Sequence, residues 1–208
     1  MPRPLSQDQI ESFRSDLCAV ATRRFAEAGY EGVTLRGLAA ELGVSPMTPY
    51  RYFENKQAIF EAVRDAAFER FGDHTLATEA SSRQQPALEQ LATMGRAYVA
   101  FALAEPHAYR IMFEIDHLVP DDPKIRGRRD RCWQPLIQVT TRCIDEGVLA
   151  GDPLTIGHCC WVTLHGLVTL HLSGKLEIDR SLDDLLEPVL QMIIRGAAPT
   201  SLPLGVAP

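Results

Sequence analysis

The sequence has no run of about 18 uninterrupted apolar residues, no basic-then-apolar opening and no Cys-x-x-Cys spacing, and each absence removes a class of protein. Its most apolar stretch, residues 159–172, is broken by His165, His171 and several small or polar residues. That is too little for a membrane span. Asp8, Glu11 and Asp16 fall where a signal peptide would carry its apolar core, so a cytoplasmic chain with no membrane contact is expected. Five cysteines, an odd number, fit reduced, buried thiols better than a disulfide framework. No segment alternates apolar and polar residues over the length of a strand, no hairpin dipeptide separates β-branched runs, and no internal repeat is found. Paired carboxylates with a positioned base, nucleophile motifs and phosphate-binding glycine loops are equally missing. Neither catalysis, nor a cofactor, nor a metal is expected.

What is present is an ordinary globular composition, 46% hydrophobic and 23% charged over 208 residues. A chain of that length buries roughly 70% of its unfolded surface and needs no staples. The net charge of −6 opposes a nucleic-acid partner at first sight, but the deficit is unevenly placed. Residues 1–56 carry seven basic and seven acidic side chains, whereas residues 57–208 carry fourteen and twenty. A neutral head on an acidic body can bind DNA if its cations share a face.

Helical signals run from end to end. Ser6 with Gln9 resembles a capping box ahead of Ile10, Phe13, Leu17, Val20, Ala21 and Ala28 at helical spacing, and Gly29 is a stop. Thr34 can cap a second helix, Leu35 to Leu42, with Leu35, Leu38, Ala39 and Leu42 inward and Gly43 at its end. Ser45 can cap a third and Asn55 a fourth, with Ile59, Phe60, Val63, Ala67 and Phe71 on one side. A polar break at Ser81 to Gln85 follows. Pro86, Pro106, Pro123, Asp152 with Pro153, and Ser181 with Asp184 mark later starts, and residues 116–122 read as a loop. About nine helices result, with a kink or interruption expected at Pro135 and Pro188. The expected class is all-α: a helix-turn-helix domain over 1–55, a helical body over 56–198 and a loose tail over 199–208.

The segment Thr34 to Phe53 carries the strongest signal. A helix-turn-helix needs a small residue where its helices cross, a glycine in the turn, and apolar residues that lock the pair to a supporting helix. Ala39, Gly43 and the set Leu38, Leu42, Val44 and Phe53 supply them. The outer face of the second helix offers Met47, Thr48, Tyr50, Arg51 and Tyr52 instead of the usual Glu and Lys. Hydroxyls of Ser45, Thr48 and the tyrosines can donate to phosphates, while Met47 and Thr48 can meet thymine methyls or base edges. Arg36 joins this set from the first helix of the pair, and Lys56, beside free N–H groups at the next helix start, is a second phosphate anchor.

The stretches Phe25-Ala-Glu-Ala-Gly-Tyr30, Thr34-Leu-Arg-Gly-Leu-Ala39, Gly43-Val-Ser45 and Tyr50-Arg-Tyr-Phe-Glu-Asn-Lys56 resemble the TetR family of one-component bacterial transcription regulators. The resemblance implies a three-helix DNA head, a connecting helix, a ligand-binding body and a homodimer formed through the last two helices. By position it also implies that Thr34, Ser45, Thr48, Tyr50, Tyr52 and Lys56 touch a double-stranded operator. Two departures stand out. Gly37 lies inside the second helix at a cost of ~1 kcal/mol relative to Ala, and Pro49 replaces the family's aliphatic residue. Proline there removes only the earliest intrahelical bond, so the third helix is expected to survive with a distorted first turn.

In the body, Trp161-Val-Thr-Leu-His165-Gly166 resembles the Trp/His/Gly (WHG) signature of one TetR C-terminal subgroup, with Tyr109 to Phe113 similar to its preceding short helix. His158, Trp161 and His165 share one helix face, and Gly166 would let another backbone approach. That face can pack in a core or dimer seam, line an effector cavity, or hold a metal, although no carboxylate or thiol completes a ligand set. Met94, Tyr98, Phe101, Tyr109, Met112, Phe113 and Trp133 are the other candidates for lining a site for a small-molecule effector. The basic run Arg126, Arg128, Arg129 and Arg131 reads as a solvated helix face. The expected function is a dimeric repressor released from a palindromic operator by a small ligand. The alternative is a helical ligand-binding or enzymatic protein whose N-terminal hairpin is only structural.

Overall fold

The computed structural model describes residues 7–115, 123–176 and 179–199. Among these residues there are eight α-helices and one short 3-10 helix, and no strand. The α-helices are α1 Gln7–Ala28, α2 Leu35–Glu41, α3 Lys56–Ser82, α4 Ala87–Ala104, α5 Pro106–Phe113, α6 Pro123–Asp145, α7 Pro153–Leu172 and α8 Leu182–Gly196; the 3-10 helix is Pro49–Arg51. The expected capping box at Ser6, the loop at 116–122 and nearly all of the tail lie outside the described residues.

Most boundaries follow the caps in the sequence. Thr34, extended at φ −130°, accepts the Gly37 N–H at 3.0 Å, and Asn55 accepts that of Ala58 at 2.9 Å. Asp152 does the same for Thr155 at 2.7 Å, and Ser181 with Asp184 closes a reciprocal capping box. Each satisfies N–H groups that have no partner inside the helix. Gly29 and Gly43 take the left-handed conformation, φ +70° and +66°, in which a side chain is strained. Pro135 and Pro188 lie within α6 and α8, neither of which is interrupted.

The expected third helix is not an α-helix. From a Ser45 cap, the first i→i−4 donor would be the N–H of residue 49, which proline lacks. The Ser45 carbonyl accepts instead from Thr48 at 2.8 Å, and the Pro49 carbonyl accepts from both Tyr52 and Phe53 at 3.0 Å. The chain tightens into a single 3-10 turn. Pro49 is nevertheless buried and fills the aliphatic position it replaces.

The chain divides into two compact units. The first comprises residues 1–70 and 105–128, so α5 joins the N-terminal helices and packs along α1. Its core gathers Leu17, Ala21 and Phe25 of α1, Leu35 and Leu38 of α2, Phe53, Ile59, Phe60 and Val63, with Ile111 of α5. Ala28, placed on the buried stripe by spacing, is exposed, while Phe25 and Ala26 are buried. The second unit comprises residues 71–104 and 129–208. Within it α7 packs on α4 and α8, around Leu91, Met94, Val139, Cys143, Ile156 and Cys160. The boundary falls inside α3 and again inside α6.

Candidate nucleic-acid interface and effector face

In the N-terminal unit, α2, the turn at Gly43 and the 3-10 helix form the expected helix-turn-helix. Two ties hold it to α1. Arg23 and Arg24 both pair with Glu41, the last residue of α2, and the Tyr52 ring lies 4.7 Å from Phe13. With its inner side fixed, the segment presents Met47 at 67% exposure and Tyr50 at 51%. Ser45, Arg51, Thr34 and Arg36 are exposed as well, whereas Thr48 and Tyr52 are half-buried. The Ser45 hydroxyl accepts the Met47 N–H at 3.4 Å.

The cations of this region separate into two groups. Arg14 covers the Phe53 ring at 4.5 Å, and Arg23 and Arg24 are neutralised by Glu41. Lys56 is also engaged: its ammonium donates to the Tyr30 carbonyl at 2.9 Å, lies 4.1 Å from the centre of the Tyr30 ring and approaches Glu31 at 3.5 Å. The Tyr30 hydroxyl in turn donates to Gln57 at 3.0 Å, and burial together with Glu31 and Glu61 pushes its pKa up. Residue types alone gave no hint of this cluster, because Tyr30 and Lys56 are 26 positions apart. Arg36 and Arg51 remain. Among the described residues, neither guanidinium has an ion pair or hydrogen bond, and both point to solvent on the Met47 and Tyr50 segment or the helix before it.

The second unit contains most of the proposed effector residues. Trp133 of α6 stacks on His158 at 4.6 Å and meets Trp161 edge-on at 5.6 Å; Trp161 stacks on His165 at 5.3 Å. His165 Nδ1 lies 3.3 Å from the Tyr98 hydroxyl, and Tyr98 packs edge-on against Phe71, which meets Phe101 at 5.0 Å. Met94 belongs to the neighbouring apolar cluster. Tyr109, Met112 and Phe113 lie on α5 in the N-terminal unit, where Phe113 meets Phe68 and Tyr109. An added Cβ at Gly166 would meet nothing within 4 Å, so the approaching backbone foreseen there is not part of this chain's described residues. Arg131 of the basic run reaches Asp73 at 2.6 Å.

None of the five cysteines is in a disulfide. Burial pushes the thiols of Cys132, Cys143 and Cys160 up to about 11, which keeps them protonated and unreactive near neutrality. Among the described residues no group of three or more His, Cys, Asp or Glu side chains could hold a metal ion, and no helix is long and apolar enough to cross a membrane.

Comparison with known proteins agrees with this geometry. No curated protein matches the sequence. Among solved structures, a Rhodococcus sp. RHA1 protein of unknown function is 25% identical with a TM-score of 0.76, covering 95% of this chain and 99% of that one. A TetR family transcription regulator from Marinobacter aquaeolei VT8 is 20% identical with a TM-score of 0.74, covering 93% and 99%. The regulator FadR of Bacillus subtilis, solved in complex with stearoyl-CoA, is 20% identical with a TM-score of 0.71, covering 88% and 98%. The model for bacterial regulatory proteins of the tetR family matches residues 17–63, and that for the tetracyclin repressor-like C-terminal domain matches residues 91–193. With both of its domains matched in order, the chain belongs to the TetR family and is a DNA-binding transcription regulator.

Proposed function

We propose that this regulator is a homodimeric repressor that grips a near-palindromic operator with residues 34–56 of each protomer and is released by a small apolar ligand. The observation that carries the reading is the segment around Met47, Tyr50 and Arg51, which is firmly tied down on its inner side and unpartnered on its outer side. One such head makes too few contacts for operator affinity; two heads on major-groove faces ~34–36 Å apart supply the rest. Arg51, Ser45, Thr48 and Thr34 would set the register on the phosphates. Met47, Tyr50 and Arg36 would meet the bases. Lys56 supports the head from within, through Tyr30.

A dimer through α7 and α8 is supported by where apolar surface remains. Leu154, Val162 and Leu170 of α7 and Met192 of α8 are each 45% exposed or more, and Gly166 on the same helix leaves room for a close neighbour. Apolar patches of this kind mark protein contacts.

The effector reading rests on the ring series from Trp133 to Tyr98 and on one polar atom beside it. The helical threonine hydroxyls of Thr22, Thr78, Thr140, Thr141 and Thr163 donate to the carbonyl four residues back, and that of Thr75 to the carbonyl three back. The Thr169 hydroxyl, one turn beyond His165, is buried without a partner. An apolar lining with a few convergent polar groups is the usual character of a small-molecule site. A ligand that prefers mis-spaced heads draws the population away from the DNA-competent state, a coupling of ~1–3 kcal/mol. The Trp161 to Gly166 signature favours the WHG subgroup, and stearoyl-CoA is the first ligand to try.

The test is recovery of bound fragments from sheared genomic DNA by the purified full-length chain, followed by mass measurement of the complex. Two protomers on a fragment with inverted half-sites, released by an apolar ligand, is the expected result. Recovery no better than with an unrelated acidic protein would leave the structural hairpin as the correct alternative.

A further inference from the structure

The outward chemistry of the head also limits which bases it can read, and this inference rests on the DNA-binding reading above. Each base edge in the major groove calls for its own side chain: an amide bonds adenine in two places, a carboxylate accepts from cytosine, a guanidinium bonds guanine, and an apolar group meets the thymine methyl. Between Val44 and Phe53 there is no Asn, Gln, Asp or Glu. The two amides that follow are already committed. The Asn55 side-chain oxygen accepts from the Ala58 N–H at 2.9 Å, while Gln57 accepts from Tyr30 at 3.0 Å and donates to Glu61 at 2.7 Å. Neither has the free oxygen-and-nitrogen pair that adenine requires. Glu41, at the end of α2, is occupied by Arg23 and Arg24.

What stays available is narrow. Among the described residues of the N-terminal unit, Met47 and Tyr50 are the two large apolar side chains most exposed, and Arg36 and Arg51 are the cations without an internal partner. We infer that the head discriminates its half-site by thymine methyls, met by Met47 and Tyr50, and by guanine, met by Arg36, and that it has no amide with which to bond adenine in two places. The 3-10 geometry reinforces the restriction, because a single turn brings few residues to the groove floor. A preference at A·T pairs then comes from the thymine strand.

The experiment is selection of duplexes from a random library by the full-length protein, then resynthesis of the enriched duplex with modified bases. Deoxyuridine in place of thymidine removes only the methyl group. It is expected to weaken binding about tenfold when both half-sites are changed, given ~0.8 kcal/mol for each buried carbon. In the Met47→Ala, Tyr50→Ala double variant, thymine and uracil duplexes should bind alike. Replacement of guanine by 7-deazaguanine, which lacks the N7 acceptor, should weaken binding at least tenfold, and 7-deazaadenine should leave it unchanged. Equal binding of uracil and thymine duplexes by the unsubstituted protein, or a loss with 7-deazaadenine as large as that with 7-deazaguanine, would overturn the inference while leaving DNA binding intact. If no duplex is enriched, the regulator reading itself fails and takes this inference with it.

Discussion

Two stretches of this chain are rich in rings and polar tips, and the structure treats them in opposite ways. Around Met47 and Tyr50 the side chains turn toward solvent, each more than half exposed. Around Trp161 the rings face one another, each of Trp133, His158, Trp161, His165 and Tyr98 having a neighbour within its own unit. Similar residue types thus make an open surface in one place and a closed array in the other. The difference comes from what surrounds them. The head sits on a short turn pinned from behind by Glu41 and Phe13, whereas α7 is flanked by α4 and α8.

The largest effect should separate assembly from recognition. Val162→Arg places a charge on the exposed apolar face of α7. It should convert the proposed dimer to monomers in analytical ultracentrifugation and cost at least about a hundredfold in operator affinity, since half the contacts of a paired site are lost. A dimer of unchanged affinity would move the interface elsewhere. Next in size, Trp133→Ala removes the ring that bridges His158 and Trp161. It should lower unfolding free energy by about 2–3 kcal/mol in denaturant titration, while operator binding at low temperature stays near the wild-type value. Equal damage to both would mean that the array and the head are not separable.

Much of this contrast was legible in the sequence, and the part that was not has a physical cause. The caps at Thr34, Asn55, Asp152 and Ser181 are local chemistry, visible within four residues. The shared face of His158, Trp161 and His165 is equally local, being a matter of helical spacing. Trp133 as their bridge depends on how α6 meets α7, and no spacing rule reports that. Pro49 was visible, but its consequence was underestimated: with Pro46 just before it, the missing N–H leaves too few α-type bonds to hold a helix that short. Lys56 has contacts that spacing does not report. Its place at a helix start suits an anion, and only the folded loop shows that its ammonium also meets Tyr30 and Glu31.

That engagement defines a smaller prediction. Lys56→Ala should cost about 1 kcal/mol of stability, through the cation–π contact and the hydrogen bond to Tyr30, read as a lowered unfolding midpoint. The smallest effect concerns acid. Side-chain and backbone hydrogen bonds from Thr155 and Ser181 hold the carboxyls of Asp152 and Asp184 below the usual range, and the Arg96 guanidinium does so for Glu187. A depressed native pKa means stability that is complete above the unfolded value of about 4 and is lost as pH falls through the native one. The unfolding midpoint should therefore decline below about pH 4, and less steeply in an Asp152→Asn, Asp184→Asn variant. An identical decline in both proteins would assign the acid sensitivity to other groups.

The central claim, that the open face of the head holds a duplex through its unpaired cations, is tested most directly by operator affinity measured against salt concentration for the wild-type chain, Arg51→Ala and Lys56→Ala. Each phosphate contact contributes a slope of roughly −0.9 in log affinity against log salt. The account predicts a steep wild-type line, a shallower one for Arg51→Ala by up to about two contacts per dimer, and for Lys56→Ala a line parallel to wild type. Affinity independent of salt, or a slope that changes with Lys56 and not with Arg51, would contradict it.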